Sequence, residues 1–226
     1  MTSKNLNFIY RFIPSSKNSE EKYDDYLNDK DNLASKKSWH IIITSWNRGN
    51  EDDLIPLGRL IYPHANLLSP RGKVLEHGMP SFFKRLAEGV FDIEDLKFRT
   101  QELAKSVNDA SLQYSFDLSK TIAVGFSNGA NIGASLLLLY PQVIAGAVLF
   151  KPMIPIIPNN LPNLSEKKIV ILSGQYDPIV SKKQAEDLFS LLKKTDVKVS
   201  IQWQESGHEI TQDDVQIAKK WYSANF

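Results

Sequence analysis

The residues Gly125-Phe126-Ser127-Asn128-Gly129 set a serine in a G-x-S-x-G frame. A serine hydroxyl is a weak nucleophile until a turn exposes it and a base takes its proton. The apolar run Lys120–Phe126 lies before this serine and the amphipathic run Asn128–Tyr140 after it, so the frame falls on a strand-to-helix turn. Such a turn is strained, and it closes only if the residues two positions away on either side are small. The N-terminus of the following helix favours developing negative charge, which makes the Asn128 backbone N–H a candidate oxyanion donor. The simpler reading of the frame is a glycine-rich turn.

The serine needs a base and the base needs an orienting carboxylate. His208 lies in Glu205-Ser206-Gly207-His208, between the last strand-like run and the last helix. His40 opens a strand, His64 follows Pro63 in a connection, and His77 lies in a long loop punctuated by Gly and Pro, so each is less well placed. Asp177 stands in Gly174-Gln175-Tyr176-Asp177-Pro178, directly after the run Lys168–Ser173. Alone, His208 reads as a loop or capping histidine and Asp177 as an Asp-Pro turn. Together, in the order Ser127, Asp177, His208, they follow the α/β-hydrolase order and neither of the two common protease orders.

The elements that must position these loops alternate. Strands are expected at His40–Thr44, Asn66–Ser69, Lys120–Phe126, Ile144–Phe150, Lys168–Ser173 and Val197–Trp203. Helices are expected over 53–61 (broken at Pro56), 94–114, 128–140, 182–194 and 211–222, the last with Thr211 and Asp214 as a capping pair. Strands alternating with helices imply an α/β fold, a mostly parallel sheet with helices on both faces. Ligands in such sheets bind at the carboxyl ends of the strands, where all three residues lie. Residues 15–38 are dense in polar and charged types with little to bury. They divide the chain into a polar, poorly ordered N-terminal extension over 1–38 and one domain over 39–226.

Composition excludes other chemistries. The 226 residues hold 27 Lys and Arg against 26 Asp and Glu, so no basic surplus is available for nucleic acid. The absence of cysteine removes disulfides, Cys-ligated metals and thiol catalysis, and suits a cytoplasmic protein. The longest apolar run, Leu136–Tyr140, is far too short for a membrane span, and Met1–Pro14 lacks the apolar core of a signal peptide.

From about residue 49 to the end, the sequence resembles the phospholipase/carboxylesterase family of α/β-hydrolases, close to the bacterial branch associated with quinone and hydroquinone stress. The matching text is Gly49-Asn-Glu-Asp-Asp-Leu-Ile-Pro-Leu57, Arg71-Gly72, Glu76-His-Gly-Met-Pro-Ser-Phe-Phe83 and Arg85-Leu-Ala-Glu-Gly-Val-Phe91. It continues through Gly125–Asn131, Gly174–Val180 and Gly207–Thr211. The resemblance implies Ser127, Asp177 and His208 as a catalytic triad for hydrolysis of small acyl esters, without metal or organic cofactor. It also implies a small-molecule ester as the partner and a possible homodimer. Within the segment 71–91, expected to lie over the pocket, Arg71, Met79, Phe82 and Phe83 are candidate substrate-binding residues. Alternatively the phenylalanines are core beneath a long loop, and Arg71 is solvated.

The chain departs from the family at one loop. The family's first strand ends in His-Gly-x-Gly-Gly, whose x residue supplies a second oxyanion N–H. Here the aligned residues are Ser45-Trp46-Asn47-Arg48-Gly49, so Asn47 takes the donor position while Trp46 and Arg48 replace glycines. Loss of one such donor typically costs about 2.7–4 kcal/mol in the barrier. The chain is therefore expected to be either an esterase, weakened to that extent, or a catalytically impaired relative that binds small molecules; thioester or amide cleavage on the same triad is a further possibility. Codons for Ile41–Gly49 can be chosen that, read one base later, encode Leu-Leu-Leu-Leu-His-Gly-Thr-Gly-Gly. Two readings follow: a gene out of frame upstream of about Gly49, or a divergent N-terminus.

Overall fold

Six strands stack in parallel, and a seventh joins antiparallel at one edge. The computed structural model describes residues 8–15, 38–46 and 49–226. The sheet consists of β1 (Tyr10–Ile13), β2 (His40–Thr44), β3 (Asn66–Pro70), β8 (Thr121–Phe126), β9 (Gly146–Phe150), β10 (Lys168–Gly174) and β11 (Lys198–Gln204), in the spatial order β1-β3-β2-β8-β9-β10-β11. Only the β1–β3 pair is antiparallel, with Tyr10 opposite Pro70 and Ile13 opposite Leu67. Residues 8–15 thus add a strand to the sheet ahead of residue 39, where the sequence pattern starts the domain; residues 16–37 lie outside the described part.

Side-chain alternation along the strands divides the core. Ile42, Ala123, Ala147, Leu149, Ile169 and Ile171 face a cluster covered by α2 (Ile93–Gln113), α3 (Asn128–Leu139) and α4 (Lys182–Lys193). Their neighbours Ile41, Ile43, Val124, Val148, Phe150 and Leu172 face the other side, against α1 (Ile55–Ile61) and α5 (Gln212–Asn225). Burial on both faces explains why these strands read as continuous apolar runs. Every residue of α3 from Asn128 to Leu138 is buried, so the helix carrying the serine at its head is fixed by packing along its whole length.

Local signals explain several helix starts. Thr211 and Asp214 form the expected reciprocal capping box, and Ser181 with Gln184 forms another at α4. The helix read as broken at Pro56 instead starts there: Pro56 lies in the first turn of α1, where a missing N–H costs nothing. Between β3 and α2 the chain forms two hairpins, β4 (Val74–Glu76) with β5 (Met79–Ser81) and β6 (Arg85–Ala87) with β7 (Val90–Phe91). The first turns through His77 and Gly78, both at positive φ (51° and 79°), the two-residue turn whose twist suits a hairpin.

Candidate active site

Ser127 sits between β8 and α3 at φ 55° and ψ −116°, a conformation costing a non-glycine residue about 1–3 kcal/mol. The surroundings hold it there. Its N–H donates to the Phe150 carbonyl at 2.9 Å. A Cβ on Gly129 would come within 2.0 Å of the Thr44 carbonyl oxygen, and one on Gly125 within 2.4 Å of the Gly129 carbonyl oxygen. The Thr44 hydroxyl donates to that same Gly129 oxygen at 2.8 Å. Both glycines of the motif are therefore needed for close backbone approach, and the turn is docked directly on the end of β2.

Three residues from three loops meet at this turn. His208 Nε2 lies 2.9 Å from Ser127 Oγ, and His208 Nδ1 lies 2.7 Å from Asp177 Oδ2. The second carboxylate oxygen of Asp177 accepts the N–H groups of Ile179 and Val180 at 2.8 and 2.9 Å, which fixes its orientation. Burial alone would push the Asp177 carboxyl up, but the hydrogen bond with His208 and these two N–H groups outweigh it and hold the carboxyl below its usual range. The loops after β10 and β11 are pressed together: Tyr176 N–H donates to the Ser206 carbonyl at 3.0 Å, and a Cβ on Gly174 would meet the Gly207 carbonyl oxygen at 2.3 Å. A neutral imidazole held this way can take a proton from a serine hydroxyl while a carboxylate balances the charge that forms.

The remaining candidates divide. Asn128 is the first residue of α3, and its side-chain oxygen accepts the Phe82 N–H at 2.8 Å, tying the β4–β5 hairpin to the serine turn. Phe82 and Phe83 are buried in the core, with Phe83 edge-on to Phe91 at 5.0 Å, while Met79 is partly exposed. Arg71 makes a two-pronged ion pair with the buried carboxylate of Glu51. Burial would raise the Glu51 carboxyl, but Arg71 holds it below its usual range. Asn47 lies outside the described residues. Its neighbour Trp46 packs edge-on against Phe126 at 5.7 Å, and Phe126 lies 5.3 Å from the His208 ring.

Two residues that sequence reasoning did not place at the site support the turn that carries His208. Lys151 directly follows β9 at φ 52°, fully buried; its Nζ donates to Asp214 Oδ2 at 2.9 Å and reaches Ser206 Oγ at 3.5 Å. The same Asp214 oxygen accepts Thr211 N–H and Oγ–H, so one buried ion pair joins β9, the start of α5 and the turn that carries His208. The available signal was a lysine closing the wholly apolar run Ala147–Phe150. Among the described residues no group of three or more His, Asp or Glu is placed to hold a metal ion, and no helix is long and apolar enough to cross a membrane.

The family pattern of phospholipases and carboxylesterases matches residues 53–225. The chain belongs to this family. It is 48% identical over 174 residues to the putative hydrolase MhqD of Bacillus subtilis (strain 168), covering 77% of this chain and 87% of that protein. The Bacillus cereus carboxylesterase structure superposes with a TM-score of 0.87 at 39% identity, covering 98% and 96% of the two chains. A Mesorhizobium loti carboxylesterase superposes with a TM-score of 0.81 at 25% identity, over 97% and 96%. The chain is thus a member of a hydrolase family that acts on small esters, built on the α/β-hydrolase fold. The family match begins at residue 53, downstream of the divergent loop.

Proposed function

We propose that the chain is a serine carboxylesterase. Ser127 attacks the ester carbonyl as His208 takes its proton. His208 passes that proton to the leaving alkoxide, and the acyl group stays on Ser127 until water, activated by His208, releases it. Asp177 orients the imidazole and stabilises its cation. The Asn128 N–H donates to the oxyanion; Asn47 holds the second donor's position in a loop where Trp46 and Arg48 replace glycines and weaken that contribution. The observation that carries this reading is the continuous line from Asp177 through His208 to a serine in a strained turn, at 2.7 and 2.9 Å. Arg71 and Met79 stay as candidates at the substrate entrance; the burial of Phe82 and Phe83 favours a packing role for them.

The test is hydrolysis of short-chain p-nitrophenyl esters by this chain and by Ser127→Ala, with pre-steady-state mixing to detect an acyl-enzyme burst. A burst in the parent and loss of turnover in the variant support the reading. Equal rates in both overturn it. A second reading has one specific observation in its favour: Trp46 stands where the family has a glycine, beside the serine turn. That reading is an impaired relative that binds small molecules without turnover.

A further inference from the structure

Beside His208 an apolar cleft of about 470 Å³ opens between the start of α1 and the start of α5. Among the described residues its apolar walls include Trp46, Leu57, Phe126, Ile210 and Val215, and His208 is part of the lining. A volume of this order is typical of small-ligand sites, which are mostly apolar with a few polar groups that orient the ligand. Trp46 and Phe126 already meet edge to face, and both line the cleft, where aromatic side chains offer a further ring the edge-to-face or stacked packing it prefers. Glu209 stands on the same cleft, with one carboxylate oxygen accepting the Gly207 N–H at 3.0 Å. It adds negative charge to a lining whose other polar side chains are His208, Thr211 and Gln212.

Geometry decides which half of an ester belongs there. His208 Nε2 must first take the proton from Ser127 Oγ and then deliver it to the alkoxide oxygen as the C–O bond breaks. That oxygen must come within hydrogen-bond reach of Nε2, so the group it carries extends on the His208 side of the nucleophile. We infer that this cleft is the alcohol subsite, and that it selects esters of uncharged, ring-sized apolar alcohols such as benzyl alcohol. The inference rests on the esterase reading above. The alcohol leaves with the proton once held by Ser127, the acyl group remains on the serine, and no further reactant is required.

The experiment holds the acyl group constant and varies the alcohol among primary alcohols of similar acidity, so that leaving-group chemistry does not mimic recognition. Ethyl, butyl and benzyl acetate and the acetate ester of glycolate are compared with this chain, Leu57→Lys and Trp46→Ala. The expected kcat/KM for benzyl acetate exceeds that for ethyl acetate by about tenfold or more, the scale of a few added methylene-sized contacts. The glycolate ester is the poorest, and the benzyl-to-ethyl ratio falls toward one in both variants. In parallel, benzyl alcohol is titrated into Ser127→Ala while the indole N–H resonance of Trp46 is followed by NMR. Saturable shifts that Leu57→Lys abolishes support the cleft even if no ester is turned over, in which case the esterase reading fails alone. Turnover that depends on Ser127 but is indifferent to the alcohol, with no shift at Trp46, overturns the subsite and leaves the esterase reading standing.

Discussion

Two neighbouring strands, β2 and β8, each end in a loop at the same edge of the sheet, and the two loops obey opposite rules. The loop after β8 is stripped of bulk: Gly125 and Gly129 leave no room for a methyl group, and Ser127 is held at positive φ between them. The loop after β2 carries Trp46, whose ring packs on Phe126. Yet the loops touch, since the Thr44 and Ser45 carbonyl oxygens would meet any Cβ placed on Gly129 at 2.0 and 2.4 Å. One side of the candidate oxyanion hole is therefore constrained by contact, while its partner has accepted bulk without losing the docking between strands. Tight backbone docking and an open, glycine-lined approach to substrate are separable requirements.

The largest test of this contrast is on the β8 side. Ser127→Ala is expected to lower ester kcat by a factor on the order of 10⁶ if Ser127, His208 and Asp177 act as a unit; a residual rate within tenfold of the parent means that another group is the nucleophile. The β2 side comes next. The combined change Ser45→His, Trp46→Gly, Asn47→Thr and Arg48→Gly is expected to raise kcat on a short ester by roughly 10² to 10³, the value of one oxyanion donor. An unchanged rate would mean the existing loop already supplies that donor. Sequencing the coding DNA across Ile41–Gly49 adds a separate check, since a one-base shift must read Leu-Leu-Leu-Leu-His-Gly-Thr-Gly-Gly if the frame is broken.

At the contact itself, Gly129→Ala is expected to lower unfolding stability by about 3 kcal/mol, because the new methyl group meets backbone that cannot swing away; urea unfolding measures it. The smallest effect is on β2. Burial lowers the pKa of His40 to about 4, with its ring against Phe116 and hydrogen-bonded to Asn66. A histidine lowered on folding contributes stability that is fully present above its unfolded pKa and is lost as pH falls toward the folded value. Thermal unfolding should therefore show a stability loss of up to about 3 kcal/mol between pH 6.5 and 4. His40→Gln should remove most of that slope, and the depressed Asp177 carboxyl adds a loss of the same sign at the lower end.

The sequence was most legible where function demands a rule of local geometry. The strand, the glycines and Ser127 announce the turn, and chain order brings Asp177 and His208 to it. Legibility fell where tertiary context decides. Tyr10–Ile13 is only four residues long, and its value as a strand comes from an edge of β3 that no local pattern reveals. The hairpins β4–β5 and β6–β7 are two or three residues per strand, too short to show a period. Phe82 and Phe83 look like a substrate wall in a loop, but the Phe82 N–H is tied to the Asn128 side chain and both residues are buried in the core. The strand at Ile41–Ile43 would be legible in either reading frame, since an ATT isoleucine codon shifted by one base begins a TTA leucine codon. A frame error there would spare the core and damage the loop.

The ion pair between Lys151 and Asp214 sets a condition on how this protein can diverge. Removing one partner from a buried pair leaves an uncompensated charge and costs about 3–5 kcal/mol, whereas replacing both with apolar groups is often neutral. Asp214 also caps α5 through Thr211, and Lys151 reaches Ser206 beside the histidine turn. Any lineage that drops Lys151 must pass through a poorly folding intermediate or change both codons at once. The two positions are expected to be inherited as one character, present or absent together in descendants of this chain.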